Sequence, residues 1–272
     1  MLKTISFIGL ISLLTLITKF YTQDSITFGV KSQNKVNQEI VLNNFTNQWD
    51  AILTEYVDSE GKVAYFALKN ESERLNKILN DLGSLQIQTL SGKQKLATHI
   101  NLYNFLTVFG IVHFYPLNSI LDKVSVGGFN FWKDMYFQFY DAKLSLDQIE
   151  HSILRKMNEP RIHFAIVCAS ISCPILLNKA FRSNTLELQL RNQTNLFLSN
   201  PLNIVWDHNA KSVRLSAIFT WFRNDFGSSD KEVLSFIRNY LPKDVKNNLS
   251  NIAEYSIGPE LSYDWNLNEQ SN

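Results

Sequence analysis

Both cysteines of the chain fall between Arg161 and Pro174, in the run RIHFAIVCASISCP, together with His163, Ser170 and Ser172. A thiol can act as a nucleophile when it is held as a thiolate, with an imidazole within about 3–4 Å and a third group fixing that imidazole. Ile162 to Cys168 is apolar and β-branched, which predicts a buried strand. Pro174 directly after Cys173 predicts the first turn of a helix. A thiol at a helix N-terminus meets unpaired amide N–H groups and the positive end of the dipole, which favour the thiolate. Cys173 is therefore the expected nucleophile. In a regular strand His163 and Cys168, five apart, point to opposite faces, which leaves Cys168 as a packed or disulfide-bonded thiol.

The expected base is His163 or His151, with Glu150 and Asn101 as groups that orient it. Asn104, Arg155, Arg161 and Ser172 complete the set as substrate-binding candidates. An equally open reading of the two thiols is a short-loop disulfide, Cys168–Cys173, closed by a turn at Ala169-Ser170. A metal site from His151, His163 and Cys173 is not expected, because no compact ligand spacing is present. No cofactor is implied.

Several elements must position these residues. Apolar residues at Trp49, Ile52, Leu53 and Tyr56 predict one helix, and Leu75, Ile78, Leu79 and Leu82 predict another over Ser72–Leu82. Gln94 to Tyr115 carries apolar residues around most of its circumference and predicts a central buried helix, stopped at Pro116. Asn101 and Asn104 share a face of it, where they either tie down backbone or orient an imidazole. Val57 to Val63 reads as a turn into a short extended piece. Tyr136 to Tyr140 reads as one arm of a hairpin. Ser145 with Gln148 is a capping box, opening a helix on which His151 and Arg155 share a face while Glu150 points elsewhere. Asn184 with Glu187 predicts a second such start, and 203–206 with 212–215 a hairpin. Closing helices are expected over 218–226 and 231–240. The fold class is α+β, a single mostly helical domain over 46–272 with a small antiparallel sheet.

The net charge of +1 with mixed signs excludes the basic stripe of a nucleic-acid binder. Lys3, the apolar run Ile5–Ile17 and the polar residues after it predict a secretion signal over 1–22, too short for a comfortable membrane span. The expected location is exported, periplasmic or secreted, with the membrane touched only through an uncleaved signal. Residues 23–45, rich in Asn, Gln, Ser and Lys, read as a loosely held leader.

Five segments together resemble the domain-of-unknown-function family 547. They are Asn101-Leu102-Tyr103-Asn104; Leu146 to Arg155; Arg161 to Ser170 with Ser172-Cys173-Pro174; Tyr56-Val57-Asp58 with Gly61-Lys62-Val63; and Ile218 to Phe222 with Asp225-Phe226. The resemblance spans roughly residues 48 to 240 and covers Asn101, Asn104, Glu150, His151, Arg155, Arg161, His163, Cys168, Ser172 and Cys173. His99 departs from it, standing where the family usually has an aromatic, and is a poor candidate for a shared role. The resemblance implies a domain of exported bacterial proteins and of longer plant and animal chains. The Cys, His and Asn set is also similar to papain-like and transglutaminase-like sites, although here the histidines precede the cysteine. Two functions follow as expectations. One is a cysteine-dependent hydrolase or acyl-transferase acting on a small-molecule or peptide-like substrate. The other is a non-catalytic binding or scaffold domain with a Cys168–Cys173 disulfide, in which Arg155, Arg161 and Glu150 form a charge-paired network.

Overall fold

The computed structural model describes residues 25–32, 36–123, 129–249 and 252–271. The expected signal over 1–22 lies outside them. Helix α1 (Gln38–Tyr56) is capped by the Asn37 side chain, which accepts from Glu39 N–H, and buries Val41, Leu42, Phe45, Trp49, Ile52 and Leu53. The chain is thus helical well before the expected start. Val41, Leu42 and Phe45 extend the apolar stripe of Trp49 one turn at a time, and intervening polar residues disguise it. Within the segment read as a leader, β1 (Ile26–Phe28) also pairs into a sheet.

Helix α2 (Ser72–Leu82) matches its apolar spacing residue for residue, with Leu75, Ile78, Leu79 and Leu82 buried. Helix α3 (Gly92–Phe114) is the axis of the fold. Every residue from Leu96 to Val112 is buried, so its neighbours must cover all sides. Gly110 is where they come closest, since a Cβ there would lie 2.5 Å from Met135 Cε and 2.6 Å from the Phe131 ring.

In place of one antiparallel sheet there are two small mixed ones. Strand β1 runs parallel to β2 (Met135–Gln138), which pairs antiparallel with β3 (Lys143–Ser145). The expected hairpin of β4 (Ile204–Asp207) and β5 (Ser212–Leu215) gains a short parallel neighbour, β6 (Ser256–Ile257). Helices α4 (Leu186–Ser199) and α5 (Asp230–Tyr240) complete the larger elements, and α5 starts with a reciprocal Ser229–Glu232 capping box.

The apolar residues form two cores. The first surrounds α3, and the second gathers Phe197, Leu215, Ile218, Phe226 and Ile237. A 3-10 turn at Pro160–Phe164 lies between them, with Ile162 in the first core and Phe164 in the second.

That turn replaces the strand expected over 162–168. Pro160 fixes the first turn, and the Glu159 side chain accepts from Arg161 N–H. The chain beyond it meets no strand edge. Instead Asn104 donates to Ala165 O at 2.9 Å and accepts from Val167 N at 3.0 Å, and Asn268 N donates to Ala169 O at 3.0 Å. Burial alone made the run apolar, and periodicity cannot separate a buried loop from a short strand. Nor does a helix start at Pro174. The next one begins at Leu186, behind Thr185, whose side chain makes no capping bond. The helix expected from Asn184 is thus present, but without the Asn184–Glu187 capping pair, and Glu187 instead accepts from Arg161.

The two asparagines of α3 hold backbone. Asn101 donates to Phe181 O and accepts from Phe181 N, both at 2.8 Å. Asn101→Ala would leave both backbone groups buried and unpaired, at about 1–3 kcal/mol each. The expected result is a lower urea midpoint at unchanged slope, with the cysteine pairing intact. A midpoint within error of wild type would show that Phe181 finds other partners.

Candidate active site

At the seam between the cores is a cleft of about 280 Å³. One wall is a disulfide between Cys168 and Cys173. The turn that closes it runs through Ala169, in the left-handed region at φ 64°, and Cys173 N donates to Ser170 O at 3.1 Å. The two sulfurs are half-buried and surrounded by donors. The amide N–H of Cys168 lies 2.8 Å from Cys173 Sγ, and the Tyr263 hydroxyl lies 3.3 Å from each sulfur. Ser170 Oγ is 3.1 Å from Cys168 Sγ. Cys173 is thus beside an amide donor, as expected, but the donor comes from the disulfide loop and not from a helix end.

His163 opens on the same cleft, and its side chain is 1% exposed. Its Nε2 lies 2.7 Å from Asp225 Oδ2, and Phe222 stacks on the ring at 4.0 Å. A carboxylate accepts, so Nε2 carries the proton and Nδ1 keeps a lone pair. Burial pulls the His163 pKa down to about 4, outweighing the Asp225 hydrogen bond, while Arg155 and His151 add repulsion against a second cation. His163 is therefore neutral at pH 7.

Arg155 grips the same carboxylate with two bonds, Nε to Oδ2 at 2.6 Å and Nη2 to Oδ1 at 2.9 Å. Burial by itself would raise Asp225, but the bonds from Arg155 and His163 hold it below the ordinary carboxylate value. Arg155 Nη1 also donates to His151 Nδ1 at 3.0 Å, which confirms that the two side chains share a face.

The capping box that starts this helix is reciprocal. Ser145 N donates to Gln148 Oε1, and Gln148 N to Ser145 Oγ. From Gln148 to Leu154 the backbone then takes the wider π-turn, and Arg155 N–H reaches back to Glu150 O. Such turns are frequent at functional sites. Here the wider turn presents both Glu150 and His151 to the cleft, against the expectation that Glu150 points elsewhere. Burial pushes the Glu150 carboxyl up, and the Tyr103 hydroxyl donates to it at 2.9 Å.

Of the ten residues singled out from the sequence, Cys168, Cys173, His163, His151 and Glu150 meet at the cleft. The others do not line it. Asn101 is committed to Phe181, so it orients no imidazole. Asn104 sets the path of the chain into Cys168, and Arg155 acts through Asp225 and His151. Arg161 binds Glu159 and Glu187, each through two of its donors, and fastens the Pro160–Phe164 turn to α4. Ser172 Oγ accepts from Asp264 N at 2.8 Å.

Two contributors were missed. Asp225 was visible as part of a motif but given no role. Tyr263 had no signal at all, because it sits in a polar stretch beyond every motif. Trp221, Tyr263 and Trp265 pack together at 4.5–5.5 Å, the two tryptophans stacked and the tyrosine tilted against both, and form the cleft's aromatic rim. Among the described residues no group of three His, Cys, Asp or Glu side chains is placed to hold a metal ion. No helix among them is long and apolar enough to cross a membrane.

Residues 87–198 match the model of the family described as "Protein of unknown function, DUF547". The match contains both sulfurs and both cleft histidines, and stops before Asp225 and Tyr263. No curated protein and no solved structure matches the chain.

The neutral state of His163 has a measurable consequence. Between pH 6.5 and about 4 the unfolded chain binds a proton that the native histidine refuses. Stability therefore falls as pH drops through that window, by about 3 kcal/mol for a shift of this size. His163→Gln keeps a donor for Asp225 and removes the titration. Chemical unfolding at pH 7 and pH 4.5 should give a steeper loss for wild type than for the variant; equal losses would mean that His163 is not held neutral.

Proposed function

We propose that the domain is a cysteine-dependent hydrolase or acyl-transferase whose resting form is the Cys168–Cys173 disulfide. The observation that carries this reading is the neutral His163, fixed through Nε2 by Asp225 and opening on the cleft that the disulfide lines. A nucleophile, a base and an orienting carboxylate are the parts of a triad. A purely structural disulfide has no need of the other two.

Two equivalents of a small thiol supply two electrons and two protons, giving Cys168–SH, Cys173–SH and the reductant's disulfide. Cys173 passes its proton to Nδ1 of His163 and attacks an acyl carbon, forming a C–S bond. The leaving group departs with the proton from His163. Water, or an acceptor nucleophile, then attacks the thioester, and Cys173 is released. Cys173 is favoured as nucleophile because the committed amide donor of Cys168 is directed at its sulfur.

The aromatic rim and apolar walls suit a peptide-like or small acyl substrate. Export is part of the same proposal. The apolar run Ile5–Ile17 after Lys3 has signal character, and a disulfide resting form fits an oxidising compartment. The membrane is touched only through that signal if it is retained, and no nucleic-acid partner is proposed.

The disulfide also favours a second reading, a non-catalytic binding domain in which the bond adds about 2 kcal/mol by closing a short loop. Hydrolysis of p-nitrophenyl acetate separates the two. After reduction with a phosphine the protein should turn over the ester and show an acetyl adduct on Cys173 by mass spectrometry. Cys173→Ser should lose about a hundredfold or more. Equal rates in the reduced wild-type protein and in Cys173→Ser would sink the enzyme reading, and a stability loss on removing both thiols would then be the bond's whole effect.

A further inference from the structure

The site contains a hydroxyl that the triad does not use. Tyr263 Oη lies 3.3 Å from Cys168 Sγ and 3.3 Å from Cys173 Sγ. Ser170 Oγ donates to Tyr263 Oη at 3.2 Å, which leaves the tyrosine's own proton for sulfur. We propose that Tyr263 is a catalytic residue of this site, donating a hydrogen bond that holds the released Cys173 as a thiolate. The inference rests on the thiol-enzyme reading above and names a residue outside the triad and outside the matched segment.

The geometry is over-determined. The ring packs at a tilt against both Trp221, at 4.8 Å, and Trp265, at 4.5 Å. The backbone around it is tied to the loop between the cysteines. Ser172 N donates to Asp264 O at 3.2 Å, Ile171 N to Asn266 O at 2.9 Å, and Asn268 N to Ala169 O at 3.0 Å. Leu267 N reaches Asn118 O at 2.8 Å, anchoring the far side. The segment that carries the hydroxyl and the loop that carries the sulfurs therefore move as one piece.

The differential interaction is what makes the hydroxyl functional. A sulfur in a disulfide is a weak acceptor, so two donors directed at Cys173 gain little in the resting form. Once the bond is reduced and Cys173 ionises, the same two donors face a full negative charge, where hydrogen bonds are about twice as strong. Burial keeps the Tyr263 hydroxyl protonated, its pKa pushed up to about 12, so it remains a donor through neutral pH. A donor that favours the thiolate also favours the reduced protein over the disulfide, as in strongly oxidising thiol pairs.

The experiment uses the Cys168→Ser protein, which carries Cys173 as its one thiol, with and without Tyr263→Phe. The phenylalanine keeps the ring packing against Trp221 and Trp265 and removes only the hydroxyl. The rate of alkylation by iodoacetamide is followed from pH 5 to 10. The expected midpoint lies below the ordinary thiol value of about 8.5 and rises by about one unit in the Tyr263→Phe background. A midpoint below 8.5 that does not move with Tyr263→Phe overturns the role of Tyr263 and leaves the thiolate site standing. A midpoint at or above about 8.5 in both proteins overturns the role and the thiol-enzyme reading together.

A second measurement keeps both cysteines. The protein is equilibrated with dithiothreitol, which gives two electrons and two protons to the disulfide and becomes its own cyclic disulfide. Tyr263→Phe should shift this equilibrium about tenfold towards the protein disulfide. An unchanged equilibrium counts against the proposal even if the variant's packing differs slightly.

Discussion

The Asp225 carboxylate is the joint on which the cleft is built. Arg155 and His163 reach it from one side of the seam, and Asp225 stands on the other, beside Phe226 of the second core. Its side chain is 20% exposed and Arg155 is 28% exposed, so the pair is shielded without being dry. A half-buried carboxylate with one cation and a neutral imidazole carries no excess charge. A protonated His163 would add a second positive charge beside Arg155, and burial opposes it as well. The clasp therefore fixes three things together: the spacing of the two cores, the ring orientation of His163, and its neutral state.

From that joint the rest of the cleft follows by attachment. Arg155 carries a third bond to His151, so the π-turn that presents His151 and Glu150 is registered to Asp225. His163 sits between Ile162 and Phe164, each committed to a different core, so the turn cannot rotate without unpacking one of them. Arg161 ties the same turn to Glu187 of α4. Asn104 takes over beyond it, since the chain from Ala165 to Val167 has no strand partner and would otherwise leave buried polar groups unpaired. Removing a buried polar side chain in this region thus acts on the position of the sulfurs as well as on stability.

How far the sequence reveals this depends on the range of the interaction. Helix α2 and the axis α3 are legible because their apolar residues repeat at helical spacing and Pro116 ends the second. The Ser145–Gln148 box and the 204–215 hairpin are legible because both are set by local hydrogen bonds. The run from Ile162 to Cys168 misleads because a buried loop and a buried strand carry the same apolar composition. What separates them is Asn104, about sixty residues away, and no local pattern encodes that bond. The pairing of the thiols also rests on distant residues. Two cysteines and a turn at Ala169-Ser170 allow a disulfide, a nucleophile or inert thiols, and the loop that brings the sulfurs together is held by Asp264, Asn266 and Asn268, about ninety residues further on. Asp225 and Tyr263 are distant as well, and a carboxylate or a tyrosine in a polar stretch looks like surface.

The extent of the family match bears on what the functional unit is. Residues 87–198 contain the sulfurs, both cleft histidines and Glu150. Alone, that segment would leave His163 without Asp225, the disulfide loop without Asp264, Asn266 and Asn268, and the cleft without Trp221 and Trp265. The C-terminal stretch also bridges back to Val63, whose turn depends on Gly61 at φ 75°, a position where a Cβ would lie 2.4 Å from Ile175 Cγ2. The matched segment holds both cysteines and the two cleft histidines, and the flanking chain holds Asp225 and Tyr263, which bond to them. The cleft is therefore built by the described chain from Val57 through Gln270 acting together, and the flanking residues are what fix the His163 ring and the loop between the cysteines.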